Sequence, residues 1–72
     1  MGIDICVQIG RRIRHLRTSR AIYQVDLAEK ASITRSNLSL IENGHAEAGI
    51  RTLYAIAKAL DVTLIELLDG VK

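Results

Sequence analysis

The stretch QVDLAEKASITRSNLSLIENG, Gln24 to Gly44, decides the fold. Two short helical segments meet in it at a break. Leu27, Ala28 and Ala31 give the first segment, 24–31, a narrow apolar inner face. Its two alanines admit the close approach of another helix. Ser32-Ile33 interrupts the pattern. Thr34 is a good N-cap for a second segment, Arg35 to about Asn43. Asn43-Gly44 ends that segment, with glycine where a left-handed backbone is tolerated. At about 100° per residue, Leu38 and Ile41 turn toward Ile33 and the core. Arg35, Ser36, Ser39, Leu40 and Asn43 fan across the other side, and Glu42 falls on a flank. The outer face is short, polar and poor in acid. Arg, Asn and hydroxyl side chains are the types that hydrogen-bond base edges and phosphates, and small serines let a helix backbone enter a groove deeply. Gln24 opens the first segment, where free amides favour an anion and a side-chain amide reaches a phosphate oxygen. A base reader and a backbone clamp are thus expected side by side.

Upstream, Ile5, Ile9, Ile13 and Leu16 recur at four- and three-residue spacing. They predict a helix from Asp4 to about Ser19, with Asp4 as cap or first-turn acid. Arg11, Arg14 and Thr18 fall on its opposite face and Arg17 on its flank. Ala21-Ile22-Tyr23 breaks this helix. Downstream, His45 to Gly49 reads as a loop. Leu53, Ile56, Ala57 and Leu60 give the inner face of a helix over 50–60. After the joint Asp61-Val62, Thr63 and Glu66 match a capping box and open a short last helix ending near Asp69-Gly70. No alternating strand pattern and no internal repeat occurs. The expectation is an all-α, compact five-helix unit, one domain over 1–72.

Composition sets the outer limits. With 72 residues, 49% of them hydrophobic and no Pro, Trp or Phe, the chain suits one small helical core of modest stability. Dimerisation is a common way for such a domain to bury more surface. The single cysteine, Cys6, excludes a disulfide framework and suits a reducing, cytoplasmic setting. No apolar run approaches the roughly 18 residues of a membrane span, and Asp4 precedes every basic residue, unlike a signal peptide. Net charge is +2 but uneven: residues 1–36 hold seven basic and three acidic groups, residues 37–72 three basic and five acidic. That polarity suits a polyanion on one side. For Arg11, Arg12 and Arg14, a solvated face and a phosphate contact both remain open.

The spacing Q24-x-x-L27-A28-x-x-A31-S32-I33-T34-R35-x-x-L38-S39-x-I41-E42-N43-G44 resembles the helix-turn-helix of the Cro/phage-repressor, or lambda-repressor-like, family. The likeness extends upstream through I9-G10-x-x-I13-x-x-L16-R17. It extends downstream through T52-L53-x-x-I56-A57-x-A59-L60-x-V62-x-L64-x-E66-L67-L68, and so covers about residues 9–69. The resemblance implies a five-helix domain, restriction–modification controllers being one possible subgroup, that binds double-stranded operator DNA as a homodimer. It implies base-reading by Arg35, Ser36, Ser39 and Leu40. It places phosphate contacts at Gln24, Tyr23, Asn37 and Asn43, and an ion pair between Arg17 and Glu42; for His45, after Gly44, a phosphate contact and an ordinary loop residue both remain open. Departures from the pattern are Ala21 and Ser32, each where glycine is frequent, Tyr23 as a cap, Ala48 where proline is common, and Leu40 where a polar reader is frequent. Leu40 suits a thymine methyl; an exposed leucine without a role is the other reading.

The last helix holds more apolar residues than one small core needs. Leu64, Leu67, Leu68 and Val71, with Ile65 beside them, are expected to form a dimer seam; a surface for another protein, as in an antitoxin-type module, and a plain core are the alternatives. His15 and His45 stand apart with no acidic or thiol partner at ligand spacing, so no metal site is expected. No Gly-rich phosphate loop, paired-carboxylate site or nucleophile–base pattern supports an enzyme. With two tyrosines as the only aromatics, stacking on single strands is not expected. Neither a cofactor nor a small-molecule ligand is expected. The implied role is a transcription regulator, a repressor or autoregulator, tuned by its own concentration.

Overall fold

The computed structural model describes residues 3–72. Five helices follow in order: α1 Ile5–Ser19, α2 Gln24–Lys30, α3 Arg35–Glu42, α4 Ile50–Ala59 and α5 Leu64–Leu67. α1 packs on α3 and α5, α2 on α3 and α4, and α4 on α5. The core between them comprises Ile13, Leu16, Leu27, Ala28, Ala31, Leu38, Ile41, Leu53, Ile56, Ala57, Leu60 and Leu67.

Local chemistry explains the starts. The Asp4 carboxylate accepts from the Cys6 N–H at 2.8 Å, which caps α1. Thr34 Oγ1 accepts from the Asn37 N–H at 3.0 Å and caps α3. Thr63 and Glu66 complete the expected capping box at 3.0 and 3.1 Å. α2 begins after Tyr23, which makes no side-chain cap bond.

The stops share one device. After α1, Ala21 takes φ 54°; after α2, Ser32 takes 58°; after α3, Gly44 takes 74°; after α4, Asp61 takes 60°. In each case the left-handed residue and the one beyond it donate N–H bonds back to the helix, as Ala21 and Ile22 do to Thr18 and Arg17. This is the Schellman arrangement. The apolar residues beyond three of these stops, Ile22, Ile33 and Val62, pack against the core. The sequence departures at Ala21 and Ser32 therefore occupy positions where L-residues are strained by roughly 1 kcal/mol or more.

Two expectations need correcting. Ile5 is not part of the buried stripe of α1; it is 55% exposed, Ile9 is half-buried, and full burial begins at Gly10. Ile5 opens α1 and borders an open groove with Ile9, Ile41 and Ala46, and the tight contact of α1 with α3 lies further along the helix. Gly10 marks that contact: a Cβ there would stand 2.6 Å from the Glu42 carbonyl oxygen. Glu42, placed on a flank by helix periodicity, is 2% exposed.

Candidate nucleic-acid interface

α3 presents the expected outer face. Arg35, Ser36, Asn37 and Leu40 are exposed and Ser39 is half-buried, while Leu38 and Ile41 lock the opposite side into the core. Thr34 fixes where the helix begins, so Arg35 and Ser36 stand in its first turn. No acidic side chain pairs with Arg35 among the described residues. Its five N–H donors therefore face solvent without a competing acceptor.

What holds α3 in place is the carboxylate of Glu42. Arg17 Nε and Nη2 donate to its two oxygens at 2.7 and 3.0 Å, a bidentate pair. The third nitrogen of Arg17, Nη1, donates to the Ile22 carbonyl at 2.9 Å and so grips the turn after α1 as well. Gln24 Nε2 adds a bond to Glu42 Oε1 at 3.0 Å, and Arg14 Nε reaches the same oxygen at 3.5 Å. One buried carboxylate thus joins α1, α2 and α3. Burial pushes its pKa up, but the hydrogen bonds from Arg17 and Gln24, the Arg17 charge and the Arg14 bond outweigh that, and the carboxyl is held below its ordinary value.

The candidate clamps divide. Gln24 is half-buried, and one amide hydrogen is engaged by Glu42, which leaves the other free. Tyr23, 74% exposed, stands directly before it. Asn43 is exposed, but its amide nitrogen turns back to the Ser39 carbonyl at 2.9 Å, and its Oδ1 accepts from Arg14 Nη2 at 2.8 Å. His45 is exposed in the loop after Gly44. Sequence periodicity placed Arg14 on the exposed face, where it is found, and left a phosphate contact open for it, but it did not foresee the bonds to Glu42 and Asn43. Arg14 and Arg17 lie three residues apart, about 60° around the helix, and that neighbourhood was the available signal.

The expected seam needs one correction. Leu67 is 0% exposed and belongs to the core, so it has no surface left to offer a second copy. Leu64, Leu68 and Val71 are half-buried, and Ile65 is 84% exposed. No grouping of His, Cys, Asp and Glu that could hold a metal occurs among the described residues. No described helix is long and apolar enough to cross a membrane.

A helix-turn-helix family profile matches residues 13–67. The immunity repressor of Bacillus phage phi105 is 43% identical over 54 residues, 75% of this chain and 38% of the repressor. The transcriptional regulator SinR of Bacillus subtilis is 39% identical over 62 residues, 85% of this chain and 56% of that protein. The crystal structure of the restriction-modification controller protein C.AhdI of Aeromonas hydrophila superposes with a TM-score of 0.84 at 32% identity, covering 86% of this chain and 94% of the other. The chain therefore spans about 38% of the phage repressor and about half of SinR. The matched residues 13–67 run from the first buried isoleucine of α1 to the last residue of α5. The chain belongs to this helix-turn-helix family.

Proposed function

We propose that the chain is a sequence-specific regulator of transcription that inserts α3 into the major groove of double-stranded operator DNA. The observation that carries this is the outer face of Arg35, Ser36 and Leu40, exposed, with half-buried Ser39 between them, on a helix anchored by the buried Glu42 carboxylate. Arg35 recognises guanine through a bidentate bond, and Leu40 packs on a thymine methyl. Gln24, Tyr23, Asn37 and His45 contact phosphates on either side of the reader. Two copies join through Leu64, Ile65, Leu68 and Val71, and the pair reads a near-palindrome. The protein acts in the bacterial cytoplasm as a repressor or autoregulator, without a catalytic step. Its similarity to a phage immunity repressor and to a restriction-modification controller supports this role.

Selection from a random duplex pool, at a stated salt concentration, tests the proposal. The expected product is a palindromic site with half-sites about 10–10.5 base pairs apart. A pool with no enriched motif contradicts it.

A further inference from the structure

Asn43 was expected to clamp the phosphate beyond the recognition helix, yet both ends of its side-chain amide are occupied within the protein. Its nitrogen donates to the Ser39 carbonyl at 2.9 Å, and its oxygen accepts from Arg14 at 2.8 Å. Its second amide hydrogen has only a 3.5 Å contact, to Ser39 Oγ, and the charged group left with free donors at this spot is Arg14. Its side chain is 48% exposed. Nε is directed to Glu42 at 3.5 Å and Nη2 to Asn43, while Nη1 has no acceptor among the described residues. A guanidinium has five N–H donors, so three remain.

Charge points the same way. Glu42 is the only carboxylate paired with Arg14 and Arg17 among the described residues. Arg17 holds it bidentately and at the shorter distance, so its charge is matched by Arg17. The cluster carries a net positive charge, and the exposed part of it is the Arg14 head beside the end of α3. The same contacts fix that head in position: Asn43, the C-cap of α3, fastens it from one side and Glu42 from another. A preorganised guanidinium loses less freedom on binding than a free one.

We infer that Arg14 makes the backbone-phosphate contact at the C-terminal end of α3, and that Asn43 is the positioning residue that aims it. The inference rests on the DNA-binding reading above. The ligand is a phosphodiester oxygen, so the contact adds affinity and salt dependence without base preference.

The test is the affinity of the purified protein for its selected duplex, measured from low to moderate salt. The proteins are wild type, Arg14→Gln, Arg14→Lys, Asn43→Ala and, as a reference for loss of one charge elsewhere on α1, Arg11→Gln. Arg14→Gln is expected to weaken binding by a similar factor on every sequence and to reduce the slope of log K against log salt by about 0.9. Arg14→Lys keeps the wild-type slope. Asn43→Ala keeps the slope but weakens binding, because the guanidinium is no longer aimed. An Arg14→Gln slope equal to that of Arg11→Gln or wild type overturns the assignment while leaving the DNA-binding reading intact. Should Arg14→Gln lose its helical circular dichroism, Arg14→Lys and Asn43→Ala decide: wild-type affinity in both overturns the assignment. A wild-type protein that retains no duplex even at low salt overturns both.

Discussion

Leu40 and Glu42, two positions apart on α3, show how one short helix divides its residues between an outward face and an anchor. Leu40 is 48% exposed on the outer face, where a polar residue offers hydrogen bonds and a leucine offers only apolar contact. Replacing thymine by uracil at the position Leu40 touches should weaken binding by about 0.8 kcal/mol, roughly fourfold, through loss of one buried methyl. Leu40→Ala should erase the difference between the two bases. A wild-type protein indifferent to the substitution at every thymine of its site makes Leu40 a bystander. Glu42 has the opposite role. Its carboxyl is held below the ordinary value, so the folded protein binds that proton less readily than the unfolded chain. The stability it supplies is fully present above about pH 4.3, the usual glutamate value, and is lost as pH falls through its depressed value. Glu42→Gln should cost about 3 kcal/mol at neutral pH, because Arg17 loses its partner, and should flatten the acid limb of a stability–pH curve. Glu66, also held low by the Thr63 backbone and hydroxyl, keeps part of that limb. An unchanged limb in Glu42→Gln would remove the carboxylate from the account.

The elements show what was legible and what was not. Apolar spacing and caps located all five helices in the sequence, because Asp4, Thr34 and the Thr63–Glu66 pair act within one turn of chain. The stops were legible as breaks, but not as a repeated device. Ala21 and Ser32 stood out only against the resemblance, as residues where glycine is frequent, and Asp61 did not stand out at all; the left-handed backbone at all three is accompanied by packing of Ile22, Ile33 and Val62 on the core. Periodicity placed Glu42 on a flank and Arg14 outside because their donors and acceptors come from other helices, which a single-helix projection does not contain. Strain at the stops makes a prediction. Ala21→Gly and Ser32→Gly should each stabilise the protein by about 0.5–1 kcal/mol, a rise of a few degrees in Tm for a domain of this size. Asp61→Gly should gain less, since aspartate tolerates this conformation better. Thermal unfolding checks all three, and a lower Tm in both of the first two contradicts the assigned backbone. Gly44→Ala should move the other way: φ is 74° there, and a Cβ would press on Val7 at 2.7 Å.

At the scale of the molecule, a small core is completed by ties between distant parts of the chain. Gln8 exchanges two hydrogen bonds with the backbone of Lys72, at 2.8 and 3.2 Å, and Arg12 holds the Glu66 carbonyl at 2.9 Å, so the last helix is fastened to α1. This fastening leaves Ile65 outward at 84% exposure with Leu68 and Val71 half-buried nearby in sequence. Sedimentation should find a dimer in the wild type and a monomer in Ile65→Glu, with the fold of each intact by circular dichroism. A wild-type monomer at micromolar concentration would move this surface to a different protein partner.

The central claim is that α3 reads the bases and that Arg35 leads it. The most direct measurement is the binding-site profile of Arg35→Ala against that of wild type, obtained from the same random duplex pool at the same salt. Loss of preference at a single base pair in each half-site is predicted, worth about 1–3 kcal/mol there, with the remaining positions unchanged. A uniform loss of affinity with every preference retained contradicts the claim and makes Arg35 a phosphate contact.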